Sequence, residues 1–64
     1  MVVKTDRYIY VMEFKLDGTA EEAIRQINEK GYAVPFASDS RTLYKIGVNF
    51  SNEIRGIERW IVEE

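Results

Sequence analysis

The chain has 64 residues, nine basic and eleven acidic for a net charge of −2, and contains neither cysteine nor histidine. Disulfides, zinc sites of the usual Cys/His kind and Cys- or His-based catalysis are therefore excluded, and any metal site must use oxygen ligands, which favours hard ions such as Mg²⁺, Mn²⁺ or Ca²⁺. The charge balance does not support nucleic-acid binding through bulk electrostatics, and no apolar run approaches the ~18–20 residues that span a membrane.

The N-terminal stretch Met1–Asp6 lacks the apolar core and small-residue cleavage site of a signal peptide, so the expectation is one cytoplasmic domain. Val2 to Thr5 is a short β-rich run, and Thr5-Asp6-Arg7 predicts a tight turn into a longer strand, Tyr8–Leu16. Strand side chains alternate, so Ile9, Val11, Glu13 and Lys15 share one face and Tyr8, Tyr10, Met12, Phe14 and Leu16 the other. A strand apolar on both faces is normally central in its sheet. Asp17-Gly18 breaks it.

Thr19-Ala20-Glu21-Glu22 has the spacing of a capping box. Ala20, Ala23, Ile24 and Ile27 form an i, i+3, i+4, i+7 stripe, which predicts an amphipathic helix of about three turns. Gly31 suits a left-handed helix end, and Lys30 in the last turn suits the helix dipole. Tyr32–Ala37 contains Pro35 and reads as a packed connection with one helical turn. Ser38–Arg41 is a polar loop, Thr42–Phe50 a second long strand, Ser51–Arg55 a loop, and Gly56–Val62 a last strand.

The order β-β-α-β-β predicts a small α/β (α+β) domain with a mixed four-stranded sheet. The two long strands run parallel across the helical crossover, and the outer strands add antiparallel hairpins. One amphipathic helix covers one face only. The other needs a partner, because isolated chains seldom leave a large apolar patch open. Tyr8, Tyr10, Tyr44, Phe50 and Trp60 read as core or interface residues rather than base-stacking platforms.

Glu13 and Lys15 carry the functional signal. They lie on one face, roughly 6.5–7 Å apart along the strand. Ionised groups there are costly unless paired, solvated or bound to something. In open α/β sheets the carboxyl end of a strand is also where ligands bind. Gln26, at the rim of the helix's apolar stripe, can reach the same edge.

A strand Glu-x-Lys followed by a helical Gln resembles the second half of a nuclease core of the PD-(D/E)xK superfamily. Thr5–Gly18, Ala23–Ile27 with Lys30–Ala33, and Lys45–Phe50 resemble a bacterial group within it, nearly over the whole chain. In that group the nuclease-like domain usually follows an AAA-type ATPase-like domain. The resemblance implies a restriction-endonuclease-like fold and hydrolysis of DNA or RNA with Mg²⁺ or Mn²⁺. It assigns metal binding to Glu13, water positioning or activation to Lys15 and support to Gln26, and it makes a parent ATPase-like domain or a second copy the expected partner.

The sequence departs from the family in two places. The superfamily's first metal-binding Asp falls immediately before position 1, so the expectation is the C-terminal part of a core, lacking that strand residue and the upstream helices. Asp6 is no substitute, because it sits in the turn at the far end of the hairpin from Glu13. The exonuclease-type Tyr four residues after the Gln is here Lys30, with Tyr32 two further on. One carboxylate with an ammonium about 7 Å along the strand is a poor Mg²⁺ trap. The expectation is a nuclease-like domain with an incomplete metal site and no catalysis of its own. The alternatives are a Mg²⁺-dependent nuclease completed by oligomerisation or a partner chain, and a small homodimeric interaction module.

Overall fold

A computed structural model describes all residues, 1–64. The elements are β1 (Val2–Lys4), β2 (Tyr8–Leu16), α1 (Ala20–Glu29), a single 3₁₀ turn at Val34–Phe36, β3 (Thr42–Ser51) and β4 (Gly56–Glu63). They build one sheet of order β1-β2-β3-β4. β2 and β3 are parallel from Tyr8↔Thr42 to Leu16↔Phe50, and each outer strand pairs antiparallel with its neighbour. The predicted mixed α+β sheet is the observed one.

Local chemistry explains the boundaries. In the first turn Thr5 Oγ1 accepts the Tyr8 N–H at 3.0 Å, and the Thr5 N–H closes on Tyr8 O at 2.8 Å. Asp17 takes a left-handed φ of 52° and ends β2. Thr19 caps α1 by accepting the Glu22 N–H at 3.0 Å, while Glu21 and Glu22 face the positive end of the helix dipole. The reciprocal half of the capping box, from Glu22 to Thr19, is not formed. Gly31 has φ 66° just past the helix, as its position predicts, but Lys30 is the C-cap rather than a residue of the last turn. Pro35 sits inside the 3₁₀ turn, where its fixed φ fits and its missing N–H costs nothing.

The core lies between α1 and one sheet face. Ile9, Val11, Ile24, Ile27 and Ala33 form it, with Phe36, Leu43 and Ile61 packed against it. Contact is closest at Gly47, where an added Cβ would stand 2.6 Å from Ala20 O and 3.0 Å from Ala23 Cβ. Only hydrogen fits, and that lets the helix rest on β3. Arg59 on β4 reaches Glu21 at 2.8 Å, and Lys45 Nζ donates to Asn28 Oδ1 at 2.6 Å, tying both ends of the helix to the sheet.

The opposite face is uncovered. Its tyrosines cluster, Tyr10 and Tyr44 stacking at 5.8 Å between centroids, with Tyr8 tilted against both. Phe14, Leu16, Phe50, Trp60 and Val62 are exposed there, Trp60 at 63%. These aromatics thus lie on the open face, outside the core cluster beneath the helix. No helix is long and apolar enough to cross a membrane.

Candidate functional site

β2 carries Glu13 and Lys15 on the helix side, in line with the buried Ile9 and Val11. Both are half-buried. α1 places Gln26 on the rim beside the buried Ile27. From there its Oε1 accepts a hydrogen bond from Lys15 Nζ. The structure therefore joins two of the three residues singled out in the sequence and sets the third on the same strand face. Lys30 is exposed, and so is Tyr32.

Lys15 and Gln26 line an open cleft of about 320 Å³ with Glu22, Arg25, Glu29 and Lys30. Every lining residue is charged or an amide. Three cations face two carboxylates, so the cleft lining is locally basic by one charge although the chain as a whole is acidic. Arg25 and Glu29 are one helical turn apart at 3.9 Å, both well exposed, and water screens their attraction. Glu13 lies outside this lining, two residues back along β2.

The edge beside Glu13 is defined by the first hairpin. Val2 pairs with Val11, and Met1 O accepts the Met12 N–H at 2.8 Å. One further step along that edge lies opposite Glu13, and cross-strand partners share a face. Asp6 sits in the turn beyond the other end of the hairpin. No three acidic side chains converge anywhere in the chain. One carboxylate beside an ammonium does not by itself fit Mg²⁺, which asks for oxygen ligands in octahedral array.

Two features of the site were not read from the sequence. The cleft wall follows from the helical spacing of Glu22, Arg25, Gln26, Glu29 and Lys30, an i, i+3, i+4, i+7, i+8 stripe opposite in character to the apolar one. Asn49 is the other. It is 2% exposed, and its Oδ1 accepts the Gly18 N–H at 2.9 Å. Its signal was a lone amide between Val48 and Phe50 on a strand face that must meet the helix.

The structure thus sets a strand Glu-x-Lys and a helical Gln bonded to the lysine on one edge of a mixed sheet, and comparison with known proteins places the chain in a family. Residues 1–60 match the family model of the PD-(D/E)XK nuclease superfamily, and the chain belongs to that superfamily. Over 65 aligned positions it is 31% identical to an uncharacterized protein encoded in the vnfD 5′ region of Azotobacter chroococcum mcd 1. The match takes in 98% of this chain and 13% of that protein, so the chain spans about an eighth of that relative's length. No solved structure matches the chain.

Proposed function

We propose that residues 1–64 form the Glu-x-Lys half of a metal-dependent nuclease site, which has no hydrolytic activity until a second carboxylate is supplied from outside this segment. The observation that carries this reading is the Lys15–Gln26 hydrogen bond formed on the strand face that also bears Glu13. Phosphodiester hydrolysis of this class needs a metal to neutralise developing charge. Glu13 supplies one anionic ligand. Lys15, held by Gln26 and flanked by the cleft cations, supplies a fixed donor for a phosphate oxygen or a water. The second carboxylate belongs opposite Glu13, at the next position along the β1 edge, whether it comes from a longer polypeptide with the ATPase-like domain or from another chain.

The test is a Mn²⁺ and Mg²⁺ titration followed by amide NMR. The chain as it stands is expected to show no saturable response at millimolar metal. With one Asp added before Met1, saturable broadening by Mn²⁺ centres on Glu13, Lys15 and Gln26, and Glu13→Gln removes it. A tight, Glu13-dependent metal site in the unextended chain would show that the half-site is complete already. An added Asp that changes nothing would remove the metal reading.

A second reading concerns the open face, and the apolar character of its two central strands favours it. The positions that face it on the two central strands are aromatic, aliphatic or threonine from Tyr8 to Phe50. Strands β2, β3 and β4, of 9, 10 and 8 residues, at ~4.8 Å spacing and ~3.3 Å rise give a face of roughly 15 by 30 Å, with the 3 residues of β1 along one edge. With side-chain relief, that is more than half of the ~800 Å² per partner of a standard interface. We propose that a second copy covers it, sheet against sheet. Sedimentation equilibrium is expected to give a dimer mass, and a monomer throughout the micromolar range would overturn this reading.

A further inference from the structure

We infer that Asn49 is a positioning residue for the Lys15–Gln26 pair, acting through the turn between β2 and α1. The inference deepens the half-site reading and rests on it. Asn49 is one of the four largest fully buried side chains, and the other three are aliphatic. Burying an amide among them costs free energy unless it is hydrogen-bonded. Its partner is the Gly18 N–H, 31 residues away in sequence, at 2.9 Å.

Gly18 is where the turn meets the site. A Cβ built there would stand 3.3 Å from Lys15 Cβ, so the turn backbone lies against the lysine stem. In the parallel register Asn49 is itself the neighbour of Lys15. One amide therefore touches both sides of the link. It sits beside Lys15 on the sheet and holds the turn that packs on Lys15.

The same turn sets the helix. Thr19, which caps α1, follows Gly18 directly, and Gln26 lies two turns further along a rigid element. A shift of the turn moves Gln26 relative to Lys15. Asp17 gives the turn a second tether, since its carboxylate accepts from Asn52 N at 2.9 Å and Asn52 Nδ2 at 3.0 Å. That tether holds the outer side of the turn. The Asp17 N–H also donates to Phe50 O at 2.8 Å, so the start of the turn is fixed to β3 by backbone, while Asn49 holds Gly18 itself, against the lysine.

A merely structural amide would lower stability when replaced and leave the pair intact in every folded molecule. A positioning amide lets the pair drift in the folded state. The readout that separates these is the set of nuclear Overhauser contacts between the Gln26 side-chain amide and the Lys15 methylenes, measured without metal, while hydrogen exchange at the Gly18 amide reports that its bond to Asn49 has been lost. Asn49→Leu is expected to speed Gly18 exchange at least ~10-fold, the loss expected of one buried hydrogen bond, and to remove the Gln26–Lys15 contacts. Asn49→Asp, which keeps the acceptor, restores both. Leu43→Val, a core truncation at the other end of β3, lowers stability and moves neither.

Asn49→Ser, whose hydroxyl stops short of Gly18, carries the same test if Asn49→Leu does not fold. Contacts preserved in a folded Asn49→Leu or Asn49→Ser chain would overturn the role, as would equal loss in Leu43→Val. Failure of the half-site reading looks different. There the chain with the added Asp ignores Mn²⁺ while Asn49→Leu still releases Gln26 from Lys15, and the positioning role stands without the metal site.

Discussion

Asp39 and Arg41 show how much of this small fold depends on single polar contacts. Arg41 grips the Asp39 carboxylate through Nε at 3.0 Å and Nη2 at 2.8 Å, and its backbone N–H donates to the same carboxylate at 2.9 Å. Nη1 donates to Thr5 O at 3.2 Å, so the loop before β3 is fastened to the first turn. The Arg41 side-chain hydrogen bonds hold the Asp39 carboxyl well below the usual carboxylate range, and Asp39 in turn pushes the Arg41 guanidinium up. A depressed folded pKa gives stability that is present above the unfolded carboxyl pKa and is lost as pH falls through the folded one. NMR titration is expected to show Asp39 still ionised at pH 3, and Arg41→Ala to raise its midpoint most of the way toward the ordinary carboxyl range, the backbone N–H at position 41 still donating to it. An ordinary midpoint in the parent chain would mean that the grip does not persist in solution. The sequence marked this segment only as a polar loop. Glu13, Lys15 and Gln26 were legible because strand alternation and the helical stripe fix which way each points. Asn49 was not, because its role depends on a partner 31 residues away.

At the scale of elements, the sequence was readable wherever a period or a turn residue decides the conformation. The Ala20-Ala23-Ile24-Ile27 stripe, Thr19 before it and Gly31 after it bounded α1, and the parallel pairing followed from strand, helix and strand in succession. What periodicity could not show is how closely the helix sits. Gly47 reads as a gap in the β3 pattern, yet it is the position where Ala20 O, Ala23 and Ile24 meet the sheet. Gly47→Ala would push a methyl into a backbone carbonyl that cannot swing aside. Overpacking typically costs ~1–3 kcal/mol, and contact with backbone places this case toward the upper end. A chain this size has about 3–10 kcal/mol in total at the usual stability per residue. Urea unfolding is expected to show a much lower midpoint for Gly47→Ala at an unchanged slope. Thr19→Ala removes only the cap and should cost about 1 kcal/mol. Equal losses for the two would indicate that the helix stands off the sheet.

For the molecule as a whole, the balance between its two faces decides what form it takes. One face has a helix, a compact aliphatic core and the Glu13, Lys15 and Gln26 cluster at its edge. The other presents stacked tyrosines, two phenylalanines and Trp60 to solvent. Parallel strand pairs are normally covered on both sides, and a chain of about 60 residues has little apolar area to spare. If a second copy supplies the cover, folding and association are one equilibrium, and the melting temperature must depend on protein concentration. A tenfold rise in concentration adds about 1.4 kcal/mol per dimer, or ~0.7 kcal/mol per chain. At ~4–8 °C per kcal/mol for a domain of this size, the midpoint should rise by about 3–6 °C. Trp60→Lys puts a charge at the middle of β4 on that face without touching the core, and it is expected to flatten the dependence and lower the midpoint. A melting temperature that ignores concentration over a hundredfold range would leave the aromatic face to a different partner, the upstream part of a longer chain being the nearest in space to Met1 and the β1 edge.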